Sequence, residues 1–134
     1  MKNILVVEDD QFTIDFYKYI FKKAKHNVIV LEEGDKIIET LQAKDIHLII
    51  MDINLKNTYL KGAKIDGIKL SRFIKENKNL SHIPVLLVTA YSMDKKEDFL
   101  FKNSLAEDFI TKPILDFNFL IDKVNTLLKF DGKE

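Results

Sequence analysis

Carboxylates, a hydroxyl and an ammonium stand at the ends of this chain's apolar runs. Asp52 closes Ile46-His47-Leu48-Ile49-Ile50-Met51, and Glu8-Asp9-Asp10 closes Asn3 to Val7. Thr89 follows Ile83 to Val88, and Lys112 follows Asp108-Phe109-Ile110-Thr111. Crowded carboxylates repel and raise each other's pKa unless a cation sits among them. Oxygen donors without His or Cys point to Mg²⁺, a hard ion that keeps several waters and usually shares a phosphate. A carboxylate can attack phosphorus and form an acyl phosphate, and phosphoryl transfer needs mostly positioning and charge neutralisation. Lys112 offers charge to an anion, and Thr89 a donor to one of its oxygens. The set reads as a phospho-acceptor, Asp52, with its support. Each member has an ordinary alternative: Asp9 or Asp10 as a helix N-cap, Thr89 as a turn residue, Lys112 as a surface lysine before proline. Their coincidence at four strand ends favours chemistry.

The elements that must position these groups follow from periodicity. The runs ending at Val7, Asp52 and Thr89 show no polar alternation, which is the pattern of strands covered on both faces of a parallel sheet. Val28 to Leu31 and Glu107 to Thr111 supply two more. Between them, helical spacing predicts a helix from Gln11 to about Lys25 with Phe12, Phe16, Tyr19 and Ile20 as its apolar face. Gly34-Asp35 opens a second helix with Ile37, Ile38 and Leu41, and Asp66-Gly67 a third with Ile68, Leu70, Phe73 and Ile74. A fourth runs from Ser92 to about Ser104, and a fifth carries Phe117, Leu120, Ile121, Val124, Leu127 and Leu128. Strands alternating with helices predict an α/β doubly wound, five-stranded parallel sheet with five helices and strand order 2-1-3-4-5. In that order the first and third strands are neighbours where the winding reverses, so Glu8, Asp9 and Asp52 meet in one crevice.

At 134 residues the chain is long enough for one domain and too short for two. Residues 1–130 form that domain, and 131–134 read as a tail or linker stub. Lys+Arg and Asp+Glu balance at 21 each, so no overall basic field draws nucleic acid or an anionic membrane. The absence of cysteine removes disulfides, thiolate nucleophiles and sulfur metal sites. No signal pattern or membrane-length apolar run is present, and the expectation is a soluble, cytoplasmic protein. His26, His47 and His82 are scattered and have no setting that suggests a phosphodonor.

One connection is long. Ile53 to Asp66 carries Lys56, Lys61 and Lys64 among Tyr59, Leu60 and Gly62, whereas most connections in α/β units are about two to six residues. It is either a tolerated surface insertion, since lengthening a loop costs little, or a segment in which Tyr59, Leu60 and the lysines fold over or beside the crevice.

Over nearly its whole length the sequence resembles the receiver domain of two-component response regulators, a flavodoxin-like fold. The residues carrying the resemblance are Glu8-Asp9 after Ile4 to Val7, Asp52 after Leu48 to Met51, Thr89-Ala90 after Val85 to Val88, and Lys112-Pro113 after Phe109-Ile110-Thr111. It implies that Asp52 accepts a phosphoryl group from a histidine kinase or histidine phosphotransfer protein. Glu8, Asp9, Asp52 and the backbone carbonyl of Asn54 would hold Mg²⁺. Thr89 and Lys112 would bind phosphoryl oxygens, Phe109 matches the aromatic switch position, and Lys112-Pro113 would be joined by a cis peptide. Thr89-Ala90-Tyr91-Ser92-Met93 is similar to single-domain receivers of the cell-cycle type. Asn54 and Tyr91 match positions flanking the attacking water, and the output would be a protein target on the face of the fourth helix, fifth strand and fifth helix. The sequence departs from the family at Lys56, where proline is common, in the length of the connection, and at Asn103-Ser104, where Gly-Ala is usual.

Two other classes compete. An aspartyl-phosphate phosphatase or phosphotransferase of the haloacid-dehalogenase kind usually has a second Asp two residues beyond the nucleophile, where this chain has Asn54. A flavodoxin-like electron carrier needs a Thr/Ser/Gly-rich phosphate loop after the first strand, where this chain has carboxylates that would repel a flavin phosphate.

Overall fold

The computed structural model describes residues 1–90 and 95–129. Tyr91, the expected helix start at Ser92 and the tail Asp131 to Glu134 lie outside the described residues. The elements run β1 (Asn3–Val7), α1 (Gln11–Lys23), β2 (Asn27–Leu31), α2 (Gly34–Ala43), β3 (Leu48–Asp52), β4 (Tyr59–Leu60), β5 (Ala63–Lys64), α3 (Gly67–Glu76), β6 (Val85–Thr89), α4 (Lys95–Ser104), β7 (Asp108–Thr111) and α5 (Phe117–Leu128). The principal sheet has the order β2-β1-β3-β6-β7, all parallel. Counting only its five strands, this is the expected 2-1-3-4-5.

The unbroken apolar runs are explained by two cores, one on each face. Alternate strand residues Ile4, Val6, Leu48, Ile50, Leu86 and Val88 pack with α1 and α5 through Tyr17, Phe21, Leu120 and Val124. Their neighbours Leu5, Val7, Ile49, Met51, Val85 and Leu87 pack with α2 and α3 through Ile37, Leu41, Leu70 and Ile74. Every residue of β3 and β6 is buried, as a central strand between two helical layers requires.

The face of α1 keeps Phe16 and Ile20 of the expected set and turns Phe12 and Tyr19 outward. Ile14, Tyr17, Ile20 and Phe21 are buried, whereas Phe12 is 83% exposed and Tyr19 61%. Two apolar stripes share this helix, and the one centred on Tyr17 and Phe21 meets the sheet. Phe16 flanks it, its ring 5.2 Å from that of Phe117 at the start of α5.

In α4 the consecutive apolar residues divide their roles. Leu100 and Phe101 pack on the core and Phe99 is exposed. The departure at Asn103-Ser104 is absorbed by α3: Ser71 Oγ donates to the Ser104 carbonyl at 2.9 Å, and Arg72 donates to both oxygens of Asn103.

The long connection is not an open loop. Its middle forms an antiparallel hairpin, with Tyr59 opposite Lys64 and Leu60 opposite Ala63. Lys61 and Gly62 have φ of 52° and 82°, the two positive values that a tight two-residue hairpin turn demands. The sequence lacked a period-two run long enough to show it.

Candidate functional site

Strand register decides which side chains meet. β1 and β3 pair with Val7 opposite Met51, and β3 and β6 with Asp52 opposite Val88. Glu8, Asp52 and Thr89 therefore emerge from adjacent strands at the same end of the sheet. β6 and β7 pair with Thr89 opposite Thr111, and the Lys112 N–H donates to the Thr89 carbonyl at 2.6 Å. Lys112-Pro113 is a cis peptide. His26 and His47 lie at the opposite end, their Nδ1 atoms accepting from the backbone N–H groups of Lys2 and Asn3.

Ligand oxygens of Glu8, Asp9 and Asp52 all lie within 4.8 Å of one another. Glu8 is 2% and Asp52 6% exposed, a burial that carboxylates rarely show unless paired. Glu8 is held from two sides. Its Oε1 accepts from the N–H groups of Asp9 and Asp10, both at 3.1 Å, and its Oε2 from Lys112 Nζ at 3.0 Å. Lys112 Nζ also stands 3.9 Å from Asp52 Oδ1, which accepts the Asn54 N–H at 3.2 Å. Asp9 Oδ2 accepts the Lys56 N–H at 3.3 Å. Asp10 takes no part in the cluster. Its side chain caps α1 by accepting from both the N–H and the hydroxyl of Thr13, which also holds its carboxyl below the usual range.

Burial and the neighbouring Glu8 charge push the Asp52 carboxyl up to about 6, against the opposing pull of Lys112 and the Asn54 N–H. The same charges reach below the site. Strand alternation turns Glu8 and Asp52 toward the layer that holds α1, where burial first, then Glu8 and Asp52, raise the Tyr17 hydroxyl far above its ordinary value. A crevice that raises a carboxyl in this way is short of positive charge: among the described residues, Lys112 is the ammonium paired with Glu8 and Asp52. The all-oxygen donor set fits a hard divalent cation.

A model of the response regulator receiver domain matches residues 4–125. The chain belongs to that family. It is 26% identical over 113 residues to the polar-differentiation response regulator DivK of Brucella ovis, covering 84% of this chain and 85% of that protein. Among solved structures it is similar to the signal receiver domain of a signal transduction histidine kinase from Syntrophus aciditrophicus, with TM-score 0.84, 28% identity and coverage of 100% of this chain and 95% of that one. A CheY-like receiver domain protein from Methanospirillum hungatei shares the fold, with TM-score 0.80, 21% identity and coverage of 99% and 98%. The chain is therefore a receiver domain of two-component signalling, a switch rather than a dedicated enzyme. Among the described residues, no helix is long and apolar enough to cross a membrane.

Thr89 and Phe109, the two switch residues expected from the resemblance, lie on the adjacent strands β6 and β7. Thr89 is buried, at the end of β6. Phe109 lies on β7 opposite Leu87, half-buried, its ring 5.3 Å from that of Phe101 on α4. It thus connects the strand beside Thr89 with the helix outside it. Two neighbours of the crevice carry little signal in the sequence. Tyr17 is masked by the stronger-looking aromatic stripe of α1, although Ile14, Ile20 and Phe21 stand at i−3, i+3 and i+4 from it. Lys56 was visible only as a departure, because a backbone N–H leaves no trace in residue type.

Proposed function

We propose that Asp52 accepts a phosphoryl group from a histidine kinase or a histidine phosphotransfer protein, in a Mg²⁺-dependent reaction that sets the state of this receiver. The observation that carries the reading is the convergence of Glu8, Asp9 and Asp52 within 4.8 Å, with Lys112 Nζ 3.9 Å from Asp52. Glu8, Asp9, Asp52 and the Asn54 carbonyl would hold the ion. A Mg²⁺ bound there would supply charge neutralisation for the carboxylates and the phosphoryl oxygens.

The chain's own groups do the rest. An ionised Asp52 oxygen attacks phosphorus, a P–O bond forms, and the P–N bond to the donor imidazole breaks with its electron pair going to nitrogen. Lys112, already fixed on Glu8, is within reach of the developing charge and needs no large reorganisation. Thr89 supplies a hydroxyl to a phosphoryl oxygen. A movement of Thr89 is passed to Phe109 by packing between adjacent strands, and changes the face of α4, β7 and α5 that a protein target would bind. The domain of residues 1–130 would work in the cytoplasm, where kinases draw on ATP, and binds neither nucleic acid nor membrane by itself.

The test is intact mass after treatment with acetyl phosphate and Mg²⁺. One phosphoryl per chain is expected, decaying slowly, and none in Asp52→Asn. Label that persists in Asp52→Asn would overturn the assignment. Continuous turnover of acetyl phosphate without a stoichiometric phosphoprotein would favour a phosphatase or phosphotransferase instead.

A further inference from the structure

Beyond Asn54, whose N–H is already on Asp52, the segment between β3 and α3 reaches the crevice through a second backbone donor. The N–H of Lys56 donates to Asp9 Oδ2 across 47 positions of sequence. What gives that contact meaning is how firmly the segment beyond it is tied down. Thr58, 1% exposed, donates its hydroxyl to the Glu32 carbonyl at 2.6 Å. Lys61 N–H donates to both carboxylate oxygens of Asp35, at 3.1 and 3.2 Å, in the first turn of α2. Leu55 and Leu60 are buried in the core shared with α2 and α3. The carbonyl of Tyr59 lies so close over Gly34 that a Cβ there would collide with it. The hairpin is therefore seated on the start of α2, with Lys56 projecting from its other end toward Asp9.

Asp9 needs such a hold. It is the least buried carboxylate of the three. Unlike Asp52, it does not close a strand; it follows Glu8 in the turn before α1. A bond to one of its oxygens restricts the rotamers through which this carboxylate can meet Glu8 and Asp52. We propose that the hairpin is a clamp which positions Asp9 through the Lys56 N–H, so that cation affinity depends on the seating of the hairpin against α2. This rests on the reading of Glu8, Asp9 and Asp52 as the cation site. Lys56 and Asp35 are positioning residues, since neither meets the ion.

The experiment is Mg²⁺ titration by calorimetry, with melting temperature in EDTA as a second readout. Lys56→Pro deletes the N–H, and Lys56→Ala keeps it while removing the same side chain. Lys56→Pro is expected to weaken Mg²⁺ about three- to ten-fold relative to Lys56→Ala, the range of one ordinary net hydrogen bond, as befits a 3.3 Å contact that acts on the ion only through Asp9. Lys56→Ala should bind like the wild type.

Asp35→Ala releases the far end of the hairpin and should weaken Mg²⁺ about two- to three-fold by itself. In the Lys56→Pro background it should have no further effect. A change caused only by the lost Asp35 charge would persist in that background, and would overturn the clamp. Equal affinities for Lys56→Pro and Lys56→Ala would also overturn it, while leaving the cation site standing. If Lys56→Pro does not fold, unchanged affinity in Asp35→Ala overturns the clamp on its own. A wild-type chain that binds no Mg²⁺ at millimolar concentration overturns the site and the clamp together.

Discussion

Replacing Asp52 by Asn should make the metal-free receiver more stable while abolishing its phosphorylation. Burial and Glu8 lift the Asp52 carboxyl from 3.8 to about 6. A carboxyl that holds its proton more tightly when folded adds stability below its unfolded pKa, and loses it as pH rises through the folded value. The window here is therefore about pH 4 to 6, and the ionised form is a standing cost at pH 7 and above. Two pKa units correspond to roughly 3 kcal/mol at most. Lys112 and the Asn54 N–H already offset part of this, and the effective dielectric inside proteins is well above that of a dry interior, so ~1–2 kcal/mol is the expected size. For a domain of this length that is a rise of roughly 4–8 °C in melting temperature. In the Asp52→Asn variant the side-chain amide would keep an acceptor for the Asn54 N–H, and Lys112 would keep its 3.0 Å contact with Glu8. The assay is thermal unfolding of both proteins in EDTA from about pH 3 to 8, a range that spans the folded and unfolded values of the carboxyl. The gap should be small at the acid end, open through the folded pKa and stay constant above it. Saturating Mg²⁺ should then raise the wild type and close it, because only a cluster with its full carboxylate set gains from binding. If the variant melts no higher than the wild type at the alkaline end, or the gap is as wide at the acid end, the crowding argument is wrong.

Thr89→Ala should still be phosphorylated by acetyl phosphate, because Asp52 and its neighbours remain; the amide resonances around Phe109 should then fail to shift as they do in the wild type. A normal shift refutes the route from Thr89 to Phe109. Away from the crevice, Lys75 Nζ pairs with Glu107 at 2.6 Å and donates to the carbonyls of Ser81 and Ile83. Lys75→Met leaves these groups without their buried cation, and should cost ~2–3 kcal/mol in urea unfolding with Mg²⁺ affinity unchanged. A loss below about 0.5 kcal/mol would show that water replaces the ammonium without penalty.

The sheet and the crevice were legible in the sequence for one physical reason. A central parallel strand has no exposed face, so its residues form an unbroken apolar run, and the run's end marks the crevice. Leu48 to Met51 and Val85 to Val88 show this without ambiguity, and Asp52 and Thr89 stand where those runs stop. Lys112 was legible by the same logic although β7 is short. What stayed hidden depends on contacts between segments far apart in sequence. The face of α1 is only half legible because helical spacing permits two apolar stripes, and only the sheet selects Tyr17 and Phe21 over Phe12 and Tyr19. The hairpin was missed because its strands are two residues each, too short for periodicity to register. Its tight turn is unusual in placing Lys61, rather than Asn, Asp or Gly, at the first positive-φ position. That strain is tolerated because the Lys61 N–H is held by Asp35 and its ammonium lies 5.7 Å from the Phe73 ring. The hold on the turn thus comes from α2 and α3, and so does the hold on Lys56 and Asp9. A segment that reads as an insertion in one dimension is, in three, wedged between the site and the helices beside it.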